Sequence, residues 1–170
     1  MFAASPAHLA KSVDITCCIC NTEFMKTLTP TREIIRDCLA VRVRLIARAV
    51  SALYDEAVAA HGITIAQLNL LAAIGEVGPC APRKLGEVLQ LERSTVSRNL
   101  DLLMAKGLVD VVSSDAKGIR EVTLSSEGEQ KIEAVLPNWR EAQKQACELL
   151  GMDGARALRD ASGSIWTAPI

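Results

Sequence analysis

Apolar residues recur at helical spacing along most of the chain, and strand-like runs occur between Leu108 and Leu124. The first apolar stripe predicts a long helix from Thr31 to Ala60, with Thr31 as its cap and His61-Gly62 as its stop signal. Its apolar positions are Ile34, Ile35, Cys38, Leu39, Leu45, Ile46, Ala49, Val50, Leu53, Ala57 and Val58. A helix with so wide an apolar face needs a partner surface to cover it.

A shorter helix is predicted after this stop signal. Thr64 is suited to cap it, and the apolar spacing indicates a helix over Ile65–Ile74. Four residues are expected to face inward: Leu68, Leu70, Leu71 and Ile74. The run Gly75–Pro79 then predicts a turn, because glycine and proline favour turn conformations.

The last third of the chain predicts two more helices. Ser125 or Ser126 begins the first, since a serine cap precedes two glutamates in the first turn. Pro137 lies inside this helix and predicts a kink or a break just before it. Gly151 ends the helix, and Met152–Ile165 forms the final one.

The central region predicts a helix, a tight turn, a second helix and two strands. Each helix places its apolar residues on one face at helical spacing: Leu85, Val88 and Leu89 in the first, and Val96, Leu100, Leu103 and Met104 in the second. The predicted segments are Arg83–Gln90 (helix), Leu91–Arg93 (turn), Glu92–Ala105 (helix), Lys106-Gly107 (helix end), Leu108–Val112 (strand), Ser113–Ile119 (loop) and Arg120–Leu124 (strand). A helix-turn-helix followed by a hairpin with a basic tip is a winged helix, which places its second helix in the major groove of DNA.

Two stretches of this region resemble a known family. LQLERSTVSRNLDLLMAKGLVDVV is similar to the turn, second helix and first wing strand of the MarR-type (multiple antibiotic resistance) transcriptional regulators, and SSDAKGIREVTLSSEGEQ is similar to their wing and next helix. The resemblance extends from about Arg36 to about Gly163. It implies a mainly α fold, a winged helix-turn-helix with a small β-hairpin wing and an all-helical dimerisation region. It also implies a very short strand at Cys80 and Ala81 that pairs with the wing.

We expect three regions. Residues 1–30 lie outside the resemblance and hold little that could build a core, so we expect them to form an N-terminal arm that contains cysteines. Residues 31–62 and 126–170 form the helical dimerisation region, and residues 63–125 form the DNA-binding winged helix. In the family, the first, fifth and sixth helices form a shared dimer domain. Such a domain supplies the cover that the long apolar helices lack in a monomer.

The start of the second helix carries a cluster of hydrogen-bond donors. The candidate DNA-contacting residues there are Arg93, Ser94, Thr95, Ser97, Arg98 and Asn99. Arg98 can donate two bonds to O6 and N7 of guanine, and the hydroxyls can bond to phosphates or base edges. The alternative is a solvated polar helix face with no partner. Glu92 departs from the serine or aspartate that many relatives carry at this cap position, and it adds negative charge beside the expected phosphates.

The predicted wing resembles the family pattern of an aspartate followed by arginines at the tip. Asp115 and Arg120 match that pattern, whereas Lys117 stands where an arginine is usual and Gly118 where another can occur. Arg120 is the better candidate for a minor-groove contact, because a guanidinium is less strongly hydrated than an ammonium; Lys117 is the second candidate. The alternative is that Arg120 pairs with Asp115 and shapes the hairpin.

The cysteines are the most unusual feature of the composition. Cys17, Cys18 and Cys20 lie within four residues, and Cys38 follows in the first long helix. Thiolates suit zinc, copper(I), thiophilic metalloids or oxidants, so these four residues are candidates for a soft metal site or a thiol sensor. The spacing differs from the C-x-x-C of zinc sites, and the alternative is that they pack as small apolar residues. No other cofactor is expected, and His8 and His61 are too far apart to form a metal or catalytic set.

The composition limits the cellular compartment and the partners that we expect for this protein. The 170 residues suit one domain with an appended arm, and the net charge of −1 gives no global signal for nucleic acid. Binding to DNA needs only a local basic face, and the segment Arg83–Arg120 has seven basic against five acidic residues. No apolar run approaches the ~20 residues that cross a bilayer, and no secretory signal is recognisable. We therefore expect a cytoplasmic protein with reduced thiols and no membrane partner.

These observations favour a homodimeric, DNA-binding transcriptional regulator, with repression as the expected sense of regulation. It would bind a pseudo-palindromic operator, and an unknown effector would change the spacing of the two recognition helices. Relatives bind small aromatic acids or phenols in a cleft between the dimer and DNA-binding regions, or use reactive cysteines. With six cysteines and only two Trp, one Tyr and two Phe, this chain favours the thiol or metal route, and the cleft ligand is the alternative.

Two other classes of function compete with this interpretation. An enzyme is disfavoured, because the sequence has no Gly-rich phosphate loop, no G-x-S-x-G and no histidine-centred set. The other rival is a winged helix used only for protein contacts. Salt separates it from a DNA binder, whose affinity falls steeply as the salt concentration rises.

Overall fold

The computed structural model describes residues 29–114 and 119–165. The elements in chain order are α1 (Thr29–Asp37), α2 (Leu39–Val58), a 3-10 turn (Ala59–His61), α3 (Ile65–Val77), α4 (Pro82–Leu89), α5 (Arg93–Ala105), β1 (Val109–Ser114), β2 (Ile119–Leu124), α6 (Ser126–Leu150) and α7 (Met152–Ile165). The expected fold class, mainly helical with one small β-hairpin, is confirmed. The chain divides into two compact units, residues 1–44 and 45–170.

The described part of the first unit contains α1 and the beginning of α2. The prediction of one continuous helix capped by Thr31 is wrong, because α1 already begins at Thr29 and the helix lapses at Cys38. We attribute the break to Arg42, whose guanidinium donates to the backbone carbonyl of Arg36 from Nε at 3.0 Å and also from Nη2. In an unbroken helix that carbonyl accepts from the amide four residues later. Helical bonding resumes at once, with Arg42 N donating to Cys38 O at 3.3 Å.

Local sequence signals set both ends of α3. Gly62 adopts a left-handed conformation (φ 70°) and ends the 3-10 turn, as the stop signal predicted. Thr64 forms a complete capping box with Gln67, in which each side chain bonds the other residue's backbone amide. The predicted turn at Gly75–Pro79 begins too early, because α3 continues to Val77, which packs against the core. Gly75 suits this helix because a Cβ there would lie 3.0 Å from Leu124 of the wing.

The helix-turn-helix forms as predicted. Pro82 occupies the first turn of α4, where its missing amide costs nothing. The turn to α5 passes through Gln90, which has a positive φ of 54° and donates its backbone amide to Gly86 O. The inward faces of the two helices are the predicted ones, with five buried residues: Leu85, Val88, Val96, Leu100 and Leu103.

The wing is an antiparallel pair whose register runs from Val109 opposite Leu124 to Ser114 opposite Ile119. Both strands are longer at the tip than predicted, because pairing continues through Ser113 and Ser114 on one side and Ile119 on the other. The expected short strand is confirmed as a bridge between Cys80 and Val122, with bonds of 3.1 and 2.9 Å. This bridge attaches the start of α4 to the wing.

The long helix α6 is continuous from Ser126 to Leu150, so of the kink or break predicted near Leu136 the break is absent. Proline removes one helical hydrogen bond. The flanking turns are held by burial, since Val135 and Ala142 are each at most 1% exposed. The Ser125 hydroxyl caps the helix by accepting from Gly128 N at 3.0 Å. Gly151 ends α6 in a positive-φ conformation, and α7 has the predicted bounds.

One hydrophobic core lies in the second unit. Its largest fully buried side chains are Leu70, Leu71, Ile74, Leu85, Leu103, Val58, Val96 and Val135. They come from α2, α3, α4, α5 and α6, so the helix-turn-helix and the long helix share this core. Among the residues that the structure describes, no single helix is long and apolar enough to span a membrane, although the bent pair Leu39–His61 and Ile65–Val77 has enough apolar length when taken together.

Candidate nucleic-acid interface

The first turns of α5 present a polar surface to solvent. Arg93, Ser94, Ser97 and Arg98 are exposed, whereas Val96 between them is buried in the core. This division follows from the helical repeat, because positions three and four apart lie on one face. The burial of Val96, Leu100 and Leu103 thus determines which donors of α5 face outward.

Two of the predicted contact residues also bond to their own helix. Arg98 Nε donates to Ser94 O at 3.2 Å, which leaves the four N–H donors on its two Nη atoms for a partner. Asn99 Nδ2 donates to Thr95 O at 2.9 Å, and both residues are half-buried. Arg98 therefore remains the strongest candidate for a bidentate contact. Asn99 and Thr95 have less of their polar surface accessible.

The wing strand β2 brings a third guanidinium to the same surface. Arg120 is exposed and, together with Arg93 and Ser97 of α5, lines one cleft of about 670 Å³. The start of α4 forms another wall through Pro82 and Arg83, and apolar side chains of the helices and strands complete the lining. The predicted contacts Arg93, Ser97 and Arg120 are thus brought together. No local pattern indicated the contribution of α4, because it depends on the packing of the wing beside α4 and α5.

Lys117 and Asp115 lie outside the described residues, so the proposed lysine contact and the alternative pairing of Asp115 with Arg120 stay predictions. Acidic groups also occupy this face. Glu92 is the exposed N-cap of α5, and its side chain makes no capping bond. Arg83 forms an exposed ion pair with Glu87 at 3.0 Å, which adds little stability in water.

The cysteine hypothesis concerns residues that are only partly described. Cys17, Cys18 and Cys20 lie outside the described residues, and Cys38 is half-buried. The pKa of the Cys80 thiol is raised, chiefly by burial, as expected for a cysteine in the core. Within residues 29–114 and 119–165, no three His, Cys, Asp or Glu side chains form a group that could hold a metal ion.

Cys147 has a distinct environment on α6. Its sulfur accepts from Gln143 Nε2 at 3.5 Å, and Gln143 in turn accepts from the hydroxyl of Tyr54. Desolvation and the nearby thiol raise the pKa of Tyr54, so this phenol stays protonated and acts as a donor. This chain of bonds holds Cys147 as a half-buried residue on α6.

Comparison with known proteins agrees with this geometry. A profile described as the MarR family matches residues 61–118, which span the helix-turn-helix and most of the wing. No curated protein matches the chain. A probable transcriptional regulator from Pseudomonas aeruginosa is 26% identical, with a TM-score of 0.70, and the match covers 77% of this chain and 98% of that one.

Two solved structures with DNA are also similar. The transcriptional regulator MosR from M. tuberculosis, in complex with DNA, is 28% identical with a TM-score of 0.65, covering 75% of this chain and 92% of that one. A mutant of MarR from E. coli complexed with operator DNA is 22% identical with a TM-score of 0.70, covering 79% and 96%, and at that identity it shows the fold alone. The profile match, the winged helix and the bridge from Cys80 to the wing agree. The chain therefore carries a winged helix of the MarR type over residues 61–118.

Proposed function

We propose that the protein is a DNA-binding transcriptional regulator. The observation that carries the proposal is the common surface formed by α5 and the wing, where Arg93, Ser97 and Arg120 line one cleft and Arg98 is exposed on the same helix. Guanidinium groups spaced along a helix and a hairpin can bond both base edges and phosphates. The similarity to the regulator MosR, whose structure was solved in complex with DNA, supports the same use of this surface.

We further propose that the protein acts as a homodimer on a pseudo-palindromic operator. In the first unit, Ile35 and Leu39 are 64% and 76% exposed, and in the second unit Leu149 and Met152 are 57% and 67% exposed. Large apolar side chains at such exposure mark an association surface. Replacing both Leu149 and Met152 with Glu should convert a dimer to monomers in light scattering. A compact parent monomer at micromolar concentration would contradict this part of the proposal.

The effector that we propose acts through thiols. Cys17, Cys18 and Cys20 lie shortly before α1, and Cys38 lies at the break between α1 and α2. A soft metal ion or an oxidant would modify these residues. The modification would change the free energy of DNA binding if it stabilised the free and the DNA-bound states of the protein unequally. The alternative is a small aromatic or phenolic ligand between the dimer and DNA-binding regions. Repression remains the expected sense of regulation.

The experiment uses a DNA site that the protein itself selects. Duplexes enriched from a random-sequence pool by the parent protein are compared with a shuffled duplex, at several salt concentrations, by fluorescence anisotropy. A DNA binder should show a logarithmic salt slope of about −0.9 for each phosphate neutralised, together with preference for the enriched duplex. A winged helix that makes only protein contacts should enrich no duplex and should bind neither DNA with a salt slope of this size.

A further inference from the structure

Three segments of the second unit meet at the C-terminal end of α5. They are the end of the 3-10 turn (His61-Gly62), the residues that follow α5 (Lys106–Leu108) and the start of α6 (from Ser125). We call this meeting point the α5 joint. Each pair of segments is connected by hydrogen bonds, and most of these bonds run from a side chain to a backbone carbonyl.

Lys106 connects α5 to the 3-10 turn. Its Nζ donates to Gly62 O at 2.5 Å and lies 3.5 Å from Gln67 Oε1. Gln67 is buried and belongs to the capping box of α3, so the ammonium contacts a fixed part of the fold. A bond from a charged donor is stronger than one between neutral groups.

Ser125 connects α5 to α6. Its hydroxyl donates to Gly107 O at 2.6 Å, and its backbone amide donates to Leu108 O at 3.3 Å. The same hydroxyl accepts from Gly128 N, so one buried side chain caps α6 and holds the end of α5. Gly128 packs against this segment so closely that a Cβ would lie 2.2 Å from Leu108 O.

A third connection joins α6 directly to the 3-10 turn. Lys131 of α6 donates from Nζ to His61 O at 3.2 Å, and Nε2 of His61 lies 3.0 Å from Asn138 Oδ1, also on α6. The end of α5 is therefore bound to two segments that are bound to each other. A rotation of α5 about its own C-terminal end must break at least one of these bonds.

We propose that Lys106 and Ser125 are positioning residues that fix the direction of α5 and thereby allow the protein to distinguish its operator from other DNA. The proposal rests on the proposed function. The residues expected to contact bases lie at the opposite end of α5, and Ser94 is twelve residues from Lys106, about 18 Å along a helix. A tilt of about 5° at the joint would move that end by about 1.6 Å, which exceeds the distance range of a hydrogen bond.

Contacts to bases and to phosphates should respond differently to such a tilt. A bidentate bond to a base edge requires fixed geometry, whereas a long cationic side chain can follow a phosphate that has moved. Loosening the joint should therefore weaken binding to the operator more than binding to random DNA. Neither residue needs to touch DNA for this effect.

The test compares Lys106→Met and Ser125→Ala with Lys144→Met, which removes an equal charge from an exposed position on α6. The probes are the duplex enriched by the parent and a shuffled duplex. We expect the ratio of the two affinities to fall about tenfold in each joint variant, the loss typical of one bidentate base contact, and to stay at the parent value in Lys144→Met. The salt slope on the shuffled duplex should not change. Lys106→Arg and Ser125→Thr keep the donors and should retain the ratio.

A second measurement tests the joint without DNA. Hydrogen exchange of the Leu108 and Ser125 amides, which bond Leu103 O and Leu108 O, should accelerate in Lys106→Met and stay slow in Lys106→Arg. Equal losses on both duplexes, with a salt slope smaller by about 0.9, would make Lys106 a phosphate contact and overturn the proposal. An unchanged ratio would overturn it as well. If the parent protein itself enriches no duplex, the proposed function fails. The role of Lys106 in holding the α5 joint is then still tested by the hydrogen-exchange rates.

Discussion

Gly128→Ala should destabilise the protein, although alanine favours helices more than glycine does. Gly128 lies in the first turn of α6, where its Cα meets the carbonyl of Leu108. A Cβ at this position would lie 2.2 Å from that oxygen and 3.3 Å from Leu124 Cδ2. The oxygen belongs to the backbone, so it cannot rotate away as a flexible side chain could. It also accepts from Ser125 N, and its displacement would weaken that bond.

The magnitude follows from three contributions. Overpacking against a fixed atom costs about 3 kcal/mol at the upper end of its usual range, and a weakened hydrogen bond costs about 1 kcal/mol. The greater helix propensity of alanine offsets up to about 1 kcal/mol. The free energy of unfolding should therefore fall by about 3–4 kcal/mol.

The assay is urea unfolding followed by far-ultraviolet circular dichroism, at one protein concentration because association contributes to stability. Gly163→Ala is the matched control, since Gly163 is exposed on α7 and a Cβ there would meet nothing within 4 Å. This variant should be as stable as the parent or more stable by up to about 1 kcal/mol. The reasoning is refuted if Gly128→Ala is no less stable than Gly163→Ala, because the close approach to Leu108 would then not exist.

Three further predictions concern the turn, the base contact and the thiols. Gln90→Gly should raise the free energy of unfolding by up to about 1 kcal/mol, because glycine adopts the positive φ of 54° without strain; a decrease in chemical denaturation would count against this. Arg98→Ala should weaken binding to the enriched duplex by ~1–3 kcal/mol and reduce preference at one base per half-site, whereas equal losses on shuffled DNA would indicate a phosphate contact. Replacing Cys17, Cys18 and Cys20 with serine should abolish the response of DNA binding to a soft metal ion or peroxide. An unchanged response would favour the cleft ligand.

Local patterns in the sequence predicted the winged helix well. The spacing of Val96, Leu100 and Leu103 identified the buried face of α5, and the same residues are buried in the structure. Thr64 and Ser125 were recognisable caps because their partners are three residues away along the chain. Signals of this kind are local, so they are present in the sequence itself.

The errors arose where distant or unexpected contacts override a local signal. The break at Cys38 involves a side-chain bond from Arg42 that no periodicity indicates. Conversely, Pro137 does not break α6, because burial of Val135 and Ala142 on either side holds the helix. Gly75 was a turn signal in the sequence, but it lies inside α3 where Leu124 approaches.

In the candidate site, too, local features could be predicted from the sequence, whereas features that depend on distant contacts could not. Exposure of Arg93 and Arg98 followed from the helical repeat, whereas the cleft that Arg93 shares with the wing depends on tertiary packing. The α5 joint was also outside the reach of sequence patterns, because Lys106 and Gly62 are 44 residues apart. The sequence marks Lys106 only as part of a helix end, which describes its local position and not its partner.

Methylation interference on the enriched duplex tests the central claim most directly, since dimethyl sulfate modifies N7 of guanine in the major groove. If two copies of α5 enter successive major grooves, methylation should block binding at two clusters of guanines about 10 base pairs apart. Arg98→Ala should remove interference at one symmetric pair of these guanines. Binding that tolerates methylation at every guanine, or interference at a single cluster, would contradict the account of a dimer that contacts bases through α5.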